Sequence, residues 1–154
     1  VGTTSYVIAI GSNRRGRNGS PEAEVRAAIR ELGAEIVSPI LRTPPLGPSK
    51  RRFANAVAIL DTGEDPPALL RRLKAIERDH GRRRAQRWSA RVIDLDIVLW
   101  SEGPWSGPGL TIPHPQFRLR GFVLDPLAQV APLWRDPISG RTVRQLRALL
   151  RRAR

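Results

Sequence analysis

The chain has no cysteine and only two histidines, His80 and His114. That excludes thiolate zinc sites, thiol catalysis and a disulfide-stapled scaffold, and it suits a reducing compartment, so a cytoplasmic protein is expected. Long apolar runs are missing too. Tyr6-Val7-Ile8-Ala9-Ile10 is too short for a signal or membrane segment, and nothing approaches the ~20 apolar residues of a membrane span. Aromatic residues make up 5% of the chain. No glycine-aromatic motif is present, which argues against a sheet that reads RNA by stacking bases. Acidic residues are scarce, 14 against 27 Lys and Arg, for a net charge of +13. Such a surface attracts polyanions, whether nucleic acid, acidic lipid or nucleotide phosphate. The Gly-Lys-Ser/Thr ending of a phosphate-binding P-loop is absent.

What is there fits one domain, residues 1–154, large enough for a core of its own. The most informative stretch is Arg91-Val92-Ile93-Asp94-Leu95-Asp96-Ile97-Val98-Leu99-Trp100. Its β-branched and aliphatic run reads as a buried strand. Alternation then puts Asp94 and Asp96 on one face, with Cα atoms roughly 6.6 Å apart. Two readings fit such a like-charged pair: the carboxylates hold Mg²⁺ shared with a substrate phosphate, or they pair with the abundant arginines.

Along the chain, Ser5–Ser12 reads as a strand ending in a Gly11-Ser12-Asn13 turn, and the basic stretch 13–19 as a mobile surface loop. Ser20 and Pro21 mark the start of a helix whose stripe Val25, Ala28, Ile29 and Leu32 runs to a stop at Gly33. Strands are expected over Glu35–Leu41 and Phe53–Leu60, joined by a loop stiffened by Pro44, Pro45 and Pro48. Asp65 and Pro66 open a second helix, with Leu69, Leu70, Leu73 and Ile76 buried and Gly81 just past its end. An arginine-rich loop carrying Trp88 leads into the aspartate strand. Prolines flank His114, amphipathic helical patterns cover Phe117–Ala131 and Val143–Arg154, and Pro132 ends the first of these. The order predicts an α+β fold: a ferredoxin-like sandwich with a four-stranded antiparallel core sheet and helices packed on one face.

Taken together, Arg42-Thr43-Pro44-Pro45-Leu46-Gly47, Phe53-Ala54-Asn55, Glu77, Gly81-Arg82, Arg87-Trp88, Arg91-Val92-Ile93-Asp94-Leu95-Asp96, Pro113-His114-Pro115 and Arg120-Gly121-Phe122-Val123-Leu124 closely resemble the 6-hydroxymethyl-7,8-dihydropterin pyrophosphokinase family of folate biosynthesis. The resemblance runs from Tyr6 to about Pro132. It implies transfer of pyrophosphate from ATP to the pterin hydroxymethyl group, with release of AMP and two Mg²⁺ ions held by Asp94 and Asp96. By the same likeness Arg82 and Arg91 join those aspartates in catalysis. Thr43, Pro44, Leu46, Phe53, Asn55 and Phe122 bind the pterin, while Glu77, Arg84, Arg87, Trp88, Thr111, His114 and Arg120 bind ATP. ATP and 6-hydroxymethyl-7,8-dihydropterin are then the partners of a monomer, with no membrane and no specific nucleic acid. The competing reading from charge and fold class is a basic ferredoxin-like RNA-binding module.

Two departures from the family stand out. Gly109 sits where some relatives carry an arginine toward ATP, and Pro115 where some carry tyrosine.

Overall fold

The computed structural model describes residues 2–43, 52–81 and 92–153. Its elements are β1 (Thr4–Ser12), α1 (Pro21–Leu32), β2 (Ile36–Val37), β3 (Leu41–Thr43), β4 (Phe53–Thr62), α2 (Pro66–Asp79), β5 (Asp94–Trp100), β6 (Trp105–Gly107), β7 (Leu110–Ile112), a 3₁₀ turn (Phe117–Leu119), α3 (Gly121–Val130) and α4 (Val143–Arg152). Local chemistry sets the helix ends as the sequence predicts. The side chains of Ser20 and Asp65 accept the backbone N–H groups of Ala23 and Ala68, each with proline in the following first turn. Such caps are worth about 1 kcal/mol each. Gly33 closes α1 with φ +75, a conformation that penalises any Cβ.

Among the described residues the main sheet has five strands, with β4, β1 and β5 side by side, β2 and β3 both pairing with β4, and every pairing antiparallel. The antiparallel core is as expected. The single strand expected over Glu35–Leu41 is instead two short ones. Pro39 supplies no N–H, and at the break Ser38 substitutes a hydroxyl: its N–H donates to the Val57 carbonyl at 2.8 Å while its Oγ accepts the Val57 N–H at 2.9 Å.

The helices do not share one face. Tyr6, Ile8 and Ile10 of β1, with Leu95 and Ile97 of β5, pack under Val25, Ala28 and Leu32 of α1 and Leu69, Leu73 and Ile76 of α2. Val7, Val57, Val98 and Leu99 pack under Val123, Leu124 and Leu127 of α3 and Val143 and Leu146 of α4 on the opposite face. Each fully buried aliphatic side chain contributes about 1.5–3 kcal/mol to holding these layers together. The sheet is therefore covered on both faces.

The loop before α1 is not a free surface loop. Gly16 and Gly19 exchange backbone hydrogen bonds at 3.0 and 3.1 Å, and the Asn18 N–H donates to Glu24 Oε2 at 2.6 Å.

Beneath α3 a buried carboxylate ties the 3₁₀ turn to the turn before α4. Asp136, fully buried, accepts Arg118 Nε at 2.5 Å, Arg118 Nη2 at 2.7 Å, Ser139 Oγ at 2.7 Å and the Ile138 N–H at 3.0 Å. Burial alone would raise its pKa; the hydrogen bonds from Arg118, Ser139 and Ile138 outweigh that and bring it down to about 2. A folded-state value below the ordinary 3.8 makes the stabilisation complete above about pH 4, and it is lost as pH falls through about 2. Asp136→Asn is accordingly expected to cost on the order of 2–4 kcal/mol at pH 7. In urea titrations the gap to the parent chain should narrow between pH 4 and pH 2.

Candidate active site

Register explains why the polar residues gather. Gly11 of β1 lies directly opposite Asp94 on β5 and opposite Asn55 on β4, while Ala9 lies opposite Asp96 and Val57. Residues directly opposed in a sheet project from the same face, so Asp94, Asp96 and Asn55 stand on the α3–α4 side across about 10 Å of sheet. Phe53 joins them two residues before Asn55, with Thr43 of β3 opposite it. Between the acidic edge and the amide edge the floor is Gly11. A Cβ there would come 2.7 Å from Asn55 Oδ1, so the absence of a side chain keeps the floor open and the amide in place.

Over this floor lies a cavity of about 410 Å³ lined by Thr43, Phe53, Asn55, Asp94, Asp96, Arg120 and Phe122, with Ala9–Asn13 and Val123. Every described residue expected at the pterin site or as a metal ligand lines it. Asn55 is buried, Asp96 half-buried and Asp94 exposed. Phe122, in the first turn of α3, is 41% exposed although aromatic, and the Arg120 guanidinium lies 5.6 Å from its ring centroid. Two aromatic side chains, Phe53 and Phe122, beside the polar Thr43 and Asn55 suit a flat heteroaromatic ring.

A second cavity of about 400 Å³ opens where β5, an edge of the sheet, meets α2 and the β6–β7 hairpin. It is lined by Leu70 and Lys74 of α2, Leu95, Asp96 and Ile97 of β5, and Gly107, Gly109, Leu110, Thr111, His114 and Pro115. Thr111 and His114 are the described residues expected for ATP that line it. Arg120, also expected for ATP, lines the first cavity instead. Asp96 borders both.

The Nδ1 atom of His114 accepts the Gln116 N–H at 3.0 Å, which leaves the ring hydrogen on Nε2 when the imidazole is neutral. Burial, helped by the positive charge of Arg120 and opposed by Asp96, holds the His114 pKa below its ordinary value. The ring is thus kept as a neutral N–H donor. Glu77 borders neither cavity. It is buried on α2, where Oε2 accepts the Leu95 N–H at 2.9 Å and Oε1 lies 3.3 Å from the Lys74 ammonium. The carboxylate fixes the strand between the two aspartates and steadies a lysine that does reach the cavity.

The fit to Mg²⁺ rests on the donor set. Asp94 and Asp96 present carboxylate oxygens to one cavity, hard ligands of the type that ion prefers. Among the described residues no group of three or more potential protein ligands comes together, so phosphate and water oxygens would complete the shell. Pro44, Leu46, Arg82, Arg84, Arg87, Trp88 and Arg91 lie outside the described residues.

The sequence reading missed Leu70, Lys74 and Gly11. Leu70 was expected in the core, but it is only half-buried and faces the second cavity. Lys74 stands one turn beyond Leu70 on the same side of α2, a spacing that would have flagged it. Gly11 lies within the expected strand Ser5–Ser12, as the next-to-last residue of β1, but its role as the open floor of the cavity had no signal in the sequence. Gly109 has φ +69 in the β6–β7 turn, a backbone that an arginine would strain.

The model of the 7,8-dihydro-6-hydroxymethylpterin-pyrophosphokinase family matches residues 7–132. Among named relatives, the 2-amino-4-hydroxy-6-hydroxymethyldihydropteridine pyrophosphokinase of Pseudomonas aeruginosa is 41% identical over 148 residues, covering 92% of this chain and 88% of that one. Its counterpart in Methylorubrum extorquens is 37% identical, with 96% and 94% covered. The Synechocystis counterpart is 40% identical over 78% of this chain, which spans 62% of its length. Solved structures are similar in fold at low identity. A Plasmodium falciparum HPPK-DHPS with pteroate gives a TM-score of 0.66 at 14% identity, covering 96% of this chain and 42% of that one. An HPPK-DHPS in complex with substrates gives 0.76 at 12%, covering 99% and 44%. No described helix is long and apolar enough to cross a membrane.

Proposed function

Because the chain belongs to the 7,8-dihydro-6-hydroxymethylpterin-pyrophosphokinase family, we propose that it transfers pyrophosphate from ATP to the hydroxymethyl group of 6-hydroxymethyl-7,8-dihydropterin, releasing AMP, in folate biosynthesis. The observation that carries this reading is the position of Asp96 on the border of both cavities. A reaction that joins two substrates directly needs them side by side with their reacting ends over one charged group.

The pterin ring lies in the first cavity, between Phe53 and Phe122, with the Asn55 amide and Thr43 bonding its polar edge. ATP occupies the second cavity. Thr111 and Lys74 flank it there, the His114 Nε2–H donates to a phosphate oxygen, and the Arg120 guanidinium meets the phosphates from the first-cavity side. The hydroxymethyl oxygen bonds to the β-phosphorus as the bond from that phosphorus to the oxygen bridging it to the α-phosphate breaks. The hydroxymethyl proton is lost and AMP departs. No covalent enzyme intermediate is required, so the protein acts by holding both reactants in line and by meeting phosphate charge with fixed donors. Two Mg²⁺ ions held by Asp94 and Asp96 neutralise phosphate charge when bound. Arg82 and Arg91 in catalysis, Pro44 and Leu46 toward the pterin, and Arg84, Arg87 and Trp88 toward ATP complete the set on family likeness. Glu77 binds ATP on family likeness and also holds the Leu95 N–H. The chain acts as one domain, a cytoplasmic monomer.

Incubation with ATP, Mg²⁺ and 6-hydroxymethyl-7,8-dihydropterin is expected to yield AMP and the pterin diphosphate, and chelation of Mg²⁺ to stop the reaction. Formation of ADP would mean ordinary γ-phosphoryl transfer and would overturn the assignment.

A further inference from the structure

Away from both cavities a hydrogen-bonded pair of polar side chains is fully enclosed. Glu24 of α1 and His80, the residue that caps α2, are both 0% exposed, and His80 Nδ1 lies 2.9 Å from Glu24 Oε1. A carboxylate only accepts, so the ring donates here. The other ring nitrogen faces Glu31 Oε1 at 3.2 Å. Glu24 also accepts the Asn18 N–H at 2.6 Å and Asn18 Nδ2 at 3.3 Å. An enclosed pair of this kind gains little stability over two apolar side chains of similar size, because desolvating it is costly. What it supplies is direction: hydrogen bonds at fixed angles between three segments.

Those segments converge on the site. A Cβ on Gly16 would lie 2.6 Å from Val92 Cγ1 and 2.8 Å from the Glu24 carboxyl carbon, so the loop is pressed between them. Gly81, next to His80, is in equally close contact: a Cβ there would come 2.9 Å from Val92 Cγ2. Val92 stands two residues before Asp94. At the other end of the loop Ser12 and Asn13 line the first cavity, and Ser12 Oγ bonds to the Arg14 backbone.

We infer that Glu24 and His80 are positioning residues: through Asn18 and Gly16 on one side and Gly81 on the other they seat Val92, and so fix Asp94 against the Ser12–Asn13 edge of the first cavity. This rests on the reaction proposed above. Through α2, which His80 caps, the linkage also borders the second cavity.

The test is a Glu24→Leu/His80→Leu double variant, which removes both hydrogen-bonding side chains at once and keeps the space filled. With the melting temperature near or above that of the parent, kcat should fall between about tenfold and 100-fold, the range that a misplacement below 1 Å produces. Amide hydrogen exchange at Asn18, whose N–H bonds to Glu24, should speed up at least about tenfold, as expected when a closing hydrogen bond is lost. His80→Asn, whose amide sits near the lost Nδ1–H, should restore slow exchange and most of kcat, whereas His80→Gln, which reaches toward Glu31, should not. A folded double variant with parental kcat and exchange overturns the inference, and so does equal behaviour of the Asn and Gln variants should the double variant not fold. If the parent chain itself makes no AMP, the reaction assignment fails, while the exchange measurements still decide whether the pair holds the loop.

Discussion

Asp96→Ala is expected to lower the rate of AMP formation by about 10³-fold or more, while the far-ultraviolet circular dichroism stays that of the parent. Its size follows from position. The side chain borders both cavities, so its removal strips negative charge from the border where the proposed reaction would bring its two substrates together. Several kcal/mol of charge stabilisation by a bound divalent ion translate into that rate factor. The fold should not suffer. Asp96 is half-buried, stands two residues from another carboxylate on the same face, and its backbone pairing with Ala9 is independent of the side chain. Relief of like-charge repulsion should leave the melting temperature unchanged or raise it. Parental turnover by a folded Asp96→Ala chain would remove the central premise of the mechanism.

Asn55→Ala should have the next largest effect, lowering kcat/KM for the pterin by about 10²–10⁴-fold with KM for ATP nearly unchanged. Asn55 is 7% exposed and opens into the first cavity. A polar heterocycle entering an enclosed site that has lost its partner keeps a desolvated donor or acceptor unpaired, a far larger penalty than the loss of packing area. Gly11→Ala offers an independent check. The new methyl would lie 2.7 Å from Asn55 Oδ1, so the amide must swing aside. Pterin affinity should fall without any change to a side chain that meets the ring. Isothermal titration with the pterin separates the two variants from Asp96→Ala, which should still bind the ring. Undiminished pterin affinity in Asn55→Ala would place the ring elsewhere.

How much of this could be read in advance differs from feature to feature. Ser20-Pro21, Asp65-Pro66 and Gly33 mark the helix ends where the structure has them, because capping is settled within a few neighbouring residues. Strand alternation correctly put Asp94 and Asp96 on one face for the same local reason. Periodicity shows that a helix has an apolar side but not which face of a sheet it will cover, and the expectation of one covered face failed there. Likewise, nothing within β5 reveals that it is an edge strand with a cavity on either side of Asp96. That property is set by strand order. The role of Glu77 toward the Leu95 N–H and the Glu24–His80 pair are contacts between residues 18 and 56 positions apart. Spacing rules have no hold on such pairs. Pattern likeness to a family named Thr43, Phe53, Asn55, Asp94, Asp96 and Phe122 together, residues that line one cavity, since motifs carry the outcome of tertiary contacts that local rules do not encode.

The margin of the sheet at β5 has a consequence for behaviour at high concentration. A border strand normally offers its bare amides and carbonyls to any passing chain, a route to runaway strand addition. Here the Leu95 N–H is capped by a buried carboxylate and the Val98 carbonyl is taken by the His114 N–H at 2.9 Å. The contacts that tether β5 beside the second cavity therefore also blunt this border against polymerisation, so the chain keeps an open groove there without leaving a sticky rim.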